Sequence, residues 1–115
     1  MTISPGGRGP LEVMWRGTHV GTLKDVKIDM WIWDGRFVAS TAPGAQEFLA
    51  LARKLDTKTV LADPTKSTRV ELRETGKPDG EPIHGIVLQL FDDDALALQY
   101  VFRPERIEWL LQNVE

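Results

Sequence analysis

An Asp-Gly pair, Asp34-Gly35, stands between two runs of strand-forming residues, 26–33 and 36–40. No other short stretch constrains the fold as strongly. A two-residue type I′ turn needs φ > 0 at both central positions, and Asp-Gly meets that need with little strain. With Asp34 and Gly35 as the loop, Trp33 faces Arg36, Ile32 faces Phe37 and Trp31 faces Val38. One face of the ribbon then carries Val26, Ile28, Met30, Ile32, Phe37 and Ala39, which reads as core. The other carries Lys27, Asp29, Trp31, Trp33, Arg36 and Val38, aromatic and charged together.

The rest of the chain adds more strands and two helical patterns. Residues 11–16 alternate, with Leu11, Val13 and Trp15 on one side, and Gly17-Thr18 reads as a type II′ turn leading into residues 19–23. The run Trp15-Arg16-Gly17-Thr18-His19-Val20-Gly21-Thr22-Leu23 resembles the opening hairpin of the toxin kinases of bacterial toxin–antitoxin pairs. That likeness covers nine residues, no kinase motif follows, and nothing about activity is implied by it. Lys24-Asp25 marks a bend or bulge, and Gly21 serves the same purpose within its strand.

From Thr41 the period becomes helical: Ala45, Phe48, Leu51, Ala52 and Leu55 form one apolar stripe, with Pro43 in the first turn. Residues 58–62 return to strand character, and 68–73 form another strand. Residues 74–81 make a polar loop. Two longer strands, 83–91 and 95–102, flank an Asp92-Asp93-Asp94 turn and read as the centre of the sheet. Arg103-Pro104 opens a final helix with Ile107, Leu110, Leu111 and Val114 on one face. Trp109 projects about 150° away from that face, among polar neighbours.

The expected architecture is α+β: a curved, mainly antiparallel sheet of about six to seven strands, or a partly open barrel, with one mid-chain and one C-terminal amphipathic helix. Residues 1–10, rich in glycine and proline with no apolar anchor, are expected to form a flexible tail. Residues 11–115 make one α+β domain. A chain of 115 residues suffices for one core without staples.

Several functions are disfavoured by what the chain lacks. It has no cysteine, so disulfides, thiolate metal sites and cysteine nucleophiles are absent. A formal charge of −3 and scattered lysines and arginines argue against nucleic acid and anionic membrane as partners. No apolar stretch approaches a membrane span, and the first residues lack a secretion signal, so a cytoplasmic protein is expected. His19 and His84 have no histidine at ligand spacing, and the three aspartates do not match a calcium loop. No metal or cofactor is expected. No Gly-x-Ser-x-Gly elbow occurs, and no motif singles out a reaction.

Two functional expectations remain. The first is a small non-catalytic interaction or adaptor domain binding a protein partner, or a second copy as a homodimer, through Trp31, Trp33, Arg36 and Trp109. In that reading the two indoles form an aromatic platform; the other possibility is that a helix covers them. The second is a small-molecule-binding barrel or small acid/base enzyme. Its pocket would lie beside Trp31 and Trp33 and draw on Asp29, His19 and His84.

Overall fold

In the computed structural model, residues 7–77 and 79–115 are described. Most of the expected tail, residues 1–6, lies outside them; Gly7–Arg8 pair as a two-residue strand, β1, with Lys27 and Val26. The other strands are β2 (Leu11–Trp15), β3 (Thr18–Asp29), β4 (Ile32–Ala39), β5 (Arg69–Glu74), β6 (Ile83–Leu90) and β7 (Ala95–Val101). They run in the order β1-β3-β2-β5-β6-β7-β4, all antiparallel, and β4 returns to pair with β3. Six strands therefore close into a barrel, with β1 added outside the ring on β3. The expected curved sheet of six to seven strands is present, and it is closed rather than partly open.

Closure overturns the Asp-Gly turn. The β3–β4 register pairs Asp29 with Ile32, Ile28 with Trp33 and Lys27 with Asp34, so the two-residue loop is Met30-Trp31. Asp34 and Gly35 lie inside β4. Gly35 is there for proximity: a Cβ on it would lie 2.7 Å from the Lys24 carbonyl oxygen and 3.0 Å from Leu23 Cγ. Opposite it β3 is bulged between Lys24 and Lys27, with Asp25 at φ 54°. The bulge anticipated at Lys24-Asp25 is real and bends β3 around the barrel. An uninterrupted β4 then places Trp33, Gly35 and Phe37 inward and Ile32 outward, so the predicted core face is corrected at Met30, which is exposed, and at Ile32, which joins an outer apolar layer, while Val26, Ile28 and Phe37 stay in the core.

Other local assignments also shift. The first hairpin turns at Arg16-Gly17, both with positive φ (51° and 78°), one residue earlier than expected. Residues predicted as a strand at 58–62 form a short helix, α2 (Thr57–Ala62). Asp56 caps it by accepting the Thr59 backbone N–H at 3.1 Å, a local bond available only in the helical turn. The two expected amphipathic helices, α1 (Pro43–Lys54) and α3 (Pro104–Asn113), both form.

Two apolar layers result. Inside the barrel, Leu23, Trp33, Phe37, Leu72 and Leu98 meet Phe48 of α1, whose ring contacts those of Trp15 and Phe37 at centroid distances of 5.6 and 5.3 Å. Outside it, Ile86 and Leu88 of β6 and Val101 of β7 are covered by Val60 of α2 and by Leu110 and Val114 of the C-terminal segment. β6 is thus buried on both faces, as expected for the centre of the sheet. Thr68, the buried polar residue before β5, ties the layers together: it accepts the Trp15 indole N–H at 2.8 Å and donates to the Glu115 carbonyl.

Gly35→Ala is expected to lower the unfolding free energy by about 1–3 kcal/mol, the usual range for forcing a carbon into a packed site. Gly44→Ala, in the first turn of α1 with only the Thr18 side chain nearby, should change it by no more than about 1 kcal/mol. Thr68→Val should cost about 1–3 kcal/mol because it leaves the buried Trp15 N–H without its acceptor. Urea denaturation of the three variants measures the contrast.

Candidate functional site

The tight Met30-Trp31 loop dictates the surface at one end of the barrel. Two residues must reverse the chain, and Met30 takes φ 58°, uncommon for a residue with a side chain. Both side chains are thrown outward: Met30 is 72% exposed and Trp31 49%. The loop is anchored behind by the Tyr100 N–H donating to the Trp31 carbonyl at 2.6 Å.

β7 supplies the opposite wall. Its inward residues continue Leu96, Leu98, Tyr100, and the same parity would take Phe102 into the barrel. The strand stops at Val101, and Pro104 starts α3, so Phe102 is left at the rim, 50% exposed. Trp33, Tyr100 and Phe102 form a stack running from interior to surface, with centroid spacings of 4.7 and 5.3 Å. Beside it lies an open groove of about 260 Å³ lined by Trp31, Gln99, Tyr100, Phe102, Arg103 and Arg106.

The two arginines set the charge of this groove. The Arg103 guanidinium lies 5.9 Å from the Phe102 ring and that of Arg106 lies 4.8 Å from the Trp109 ring. Among the described residues neither forms an ion pair. A guanidinium resting on aromatic surface is weakly hydrated and keeps its forked donors available for a carboxylate. The groove therefore sets apolar ring surface beside two guanidinium groups.

The residues singled out from the sequence are distributed differently. Trp31 lines the groove, but Trp33, only 4% exposed, is core, so the two indoles do not form one platform. Arg36 lies on the outer face opposite Ala95, paired with Asp25 at 3.8 Å, toward the other end of β4. Trp109 is half-buried against the outer apolar layer, with Arg106 over its ring. Asp29 is exposed at the base of the hairpin, and His19, second residue of the same strand, lies ten residues earlier, about 30 Å along the strand at the usual rise per residue. His84, opposite Val101, is half-buried with an enclosed Nδ1 that has no hydrogen-bond partner among the described residues. Asp29, His19 and His84 thus do not converge on a pocket beside Trp31. Tyr100, Phe102, Arg103 and Arg106 were missed. The signal for them was the Phe-Arg-Pro sequence that stops a strand whose alternation was still running.

A second polar cluster occupies the outer face of β2 and β3. Glu12 accepts hydrogen bonds from His19 Nε2 at 2.7 Å, Thr22 Oγ1 at 2.8 Å and Thr75 Oγ1. Glu12 joins the loop after β5 to the first hairpin. These bonds, led by Thr75 and reinforced by Thr22 and the His19 ring, hold the Glu12 carboxyl below its ordinary value despite partial desolvation. Among the described residues no group of three or more histidines, aspartates and glutamates is placed to hold a metal ion.

A carboxyl depressed in the folded state stabilises the fold above its unfolded pKa, near the ordinary glutamate value of 4.5, and loses that effect as pH falls through the folded value. The stability difference between the native chain and Glu12→Gln should be present at pH 7 and shrink once the pH drops below about 4.5. Thermal melts of both proteins from neutral to acid pH measure it. Comparison with known proteins supplies no relative from which to read a function: no family model, no curated protein and no solved structure matches this chain.

Proposed function

We propose that this protein is a small non-catalytic interaction domain that binds a protein segment at the open end of its barrel. The observation that carries the reading is the pairing of two exposed aromatic walls, Trp31 and Phe102, with two guanidinium groups that have no ion pair among the described residues. Aromatic residues and arginine are the side chains most enriched where partners dock. A barrel interior packed with side chains supports this over an internal ligand site. The ligand class is a short peptide stretch with an apolar or aromatic residue next to one or more carboxylates. No helix among the described residues is long and apolar enough to cross a membrane.

Selection from a displayed peptide library tests this. The native domain should enrich an acidic sequence with one aromatic or large aliphatic residue. Isothermal titration should show binding to that peptide weakened more than tenfold in Trp31→Ala/Phe102→Ala, with the melting temperature within a few degrees of native because both side chains are exposed. No enrichment, or equal binding by the double variant, would overturn the reading.

A further inference from the structure

The occupant chemistry that the groove favours is present on this chain. At the other end of β7, the β6–β7 hairpin ends in Phe91-Asp92-Asp93-Asp94. Phe91 is 43% exposed. Its N–H donates to the Ala95 carbonyl at 2.9 Å, and the Asp94 N–H donates to the Phe91 carbonyl at 3.0 Å. The tip is therefore a closed turn that presents an aromatic ring beside a set of carboxylates. Asp94 is held by Arg53 at 3.4 Å, and one oxygen of Asp93 accepts the Ala95 N–H. Asp92 and Asp93 form no ion pair among the described residues.

We propose that the groove of one copy receives the Phe91-Asp92-Asp93-Asp94 tip of a second copy, so that chains associate head to tail. This deepens the interaction reading above and rests on it, naming the partner as the chain itself. Phe91 meets Trp31 and Phe102, and the carboxylates meet Arg103 and Arg106. The N-terminal turn of α3 adds to the attraction. Its dipole favours anions, and there Arg103 and Arg106 outnumber the single first-turn acid, Glu105.

Geometry forbids the tip from filling its own groove. The seven residues of β7 separate the two by about 20 Å along a rigid strand. The contact is therefore between different surfaces and propagates as a chain, or closes as a ring if the rotation allows. A four-residue tip in a groove of this size buries far less than the ~1,200 Å² of a standard stable interface. Association is accordingly weak and dominated by charge, and salt weakens it.

Analytical ultracentrifugation over a concentration series tests the idea. The native protein should show a weight-average mass rising with concentration. Raising the salt from about 50 mM to about 500 mM should shift the association constant severalfold toward monomer, because exposed charges are screened. Arg103→Glu/Arg106→Glu and Asp92→Arg/Asp93→Arg should each sediment as monomers. Mixed in equal amounts they should associate again, since each then supplies the half the other lacks. Phe91→Ala, which leaves the charges and the turn bonds in place, should weaken association severalfold. Circular dichroism melts confirm that the variants are folded.

A native protein that stays monomeric throughout would overturn self-association. If it still bound the library-selected peptide at the Trp31/Phe102 groove, the interaction domain would stand with a different partner. Association unaffected by either charge reversal, or reversed variants that fail to recover on mixing, would place the contact elsewhere and defeat the proposal. Loss of both the selected peptide and self-association in Trp31→Ala/Phe102→Ala alone would support both readings together.

Discussion

Closure of the barrel rests on the seam between β3 and β4. Two strands can meet there along most of their length only because Gly35 lets the β4 backbone come within contact of the Lys24 carbonyl, and because β3 yields a bulge at Asp25. Glycine inside a strand often marks such a close approach, and a bulge sharpens the local twist that a closed ring requires. Gly21 plays a related part farther up β3, where an added Cβ would sit 2.5 Å from the Phe37 ring. With the seam in place every side-chain parity on β4 is determined. Trp33 and Phe37 fill the barrel, Ile32 goes under the outer helices, and the chain must reverse at Met30-Trp31.

The outer layer depends on that inner one. β6 can be apolar on both faces because the barrel takes one side and α2 with α3 takes the other. α3 is held by the chain end that follows it: the Arg69 N–H donates to the Glu115 carbonyl, and the Arg69 guanidinium donates to the Val114 carbonyl at 2.9 Å. Thr68 connects this to the interior through Trp15. A single hydroxyl therefore satisfies a buried indole and a backbone carbonyl at once, where an apolar replacement could satisfy neither.

Much of the fold was legible in the sequence because alternation is a direct consequence of burying one face of a strand. The strands, the two longer helices and their proline starts followed from that. Asp34-Gly35 misled for a specific reason. The same dipeptide that suits a two-residue turn also suits a strand that must approach its neighbour without a Cβ, and only the neighbour decides between them. Residues 57–62 were too few for a period to separate helix from strand, and the Asp56 cap was the better guide. The groove was half legible. The sequence leaves open whether Trp31 and Trp33 form one exposed platform or are covered together; moving the turn by four residues exposes the first and buries the second. Phe102, Arg103 and Arg106 come together with Trp31 only through the pairing of β7 with β4, which no local pattern reveals. The Glu12–His19 bond likewise crosses a hairpin, at a separation of seven residues.

What remains at the barrel's open end is not required by the barrel. A residue bearing a side chain at positive φ, as Met30 does, typically costs about 1 kcal/mol, and nothing in the burial of Met30 or Trp31 offsets it. Phe102 likewise remains half in water at the place where the chain could have continued inward. Arg103 beside Phe102 and Arg106 over Trp109 have no ion pair among the described residues, in the helix turn where the backbone dipole disfavours cations. Each feature weakens the isolated domain slightly, and Trp31, Phe102, Arg103 and Arg106 line one groove. An anion carried on an apolar side chain would offset all of them in a single contact, by covering the rings and neutralising the guanidinium groups together.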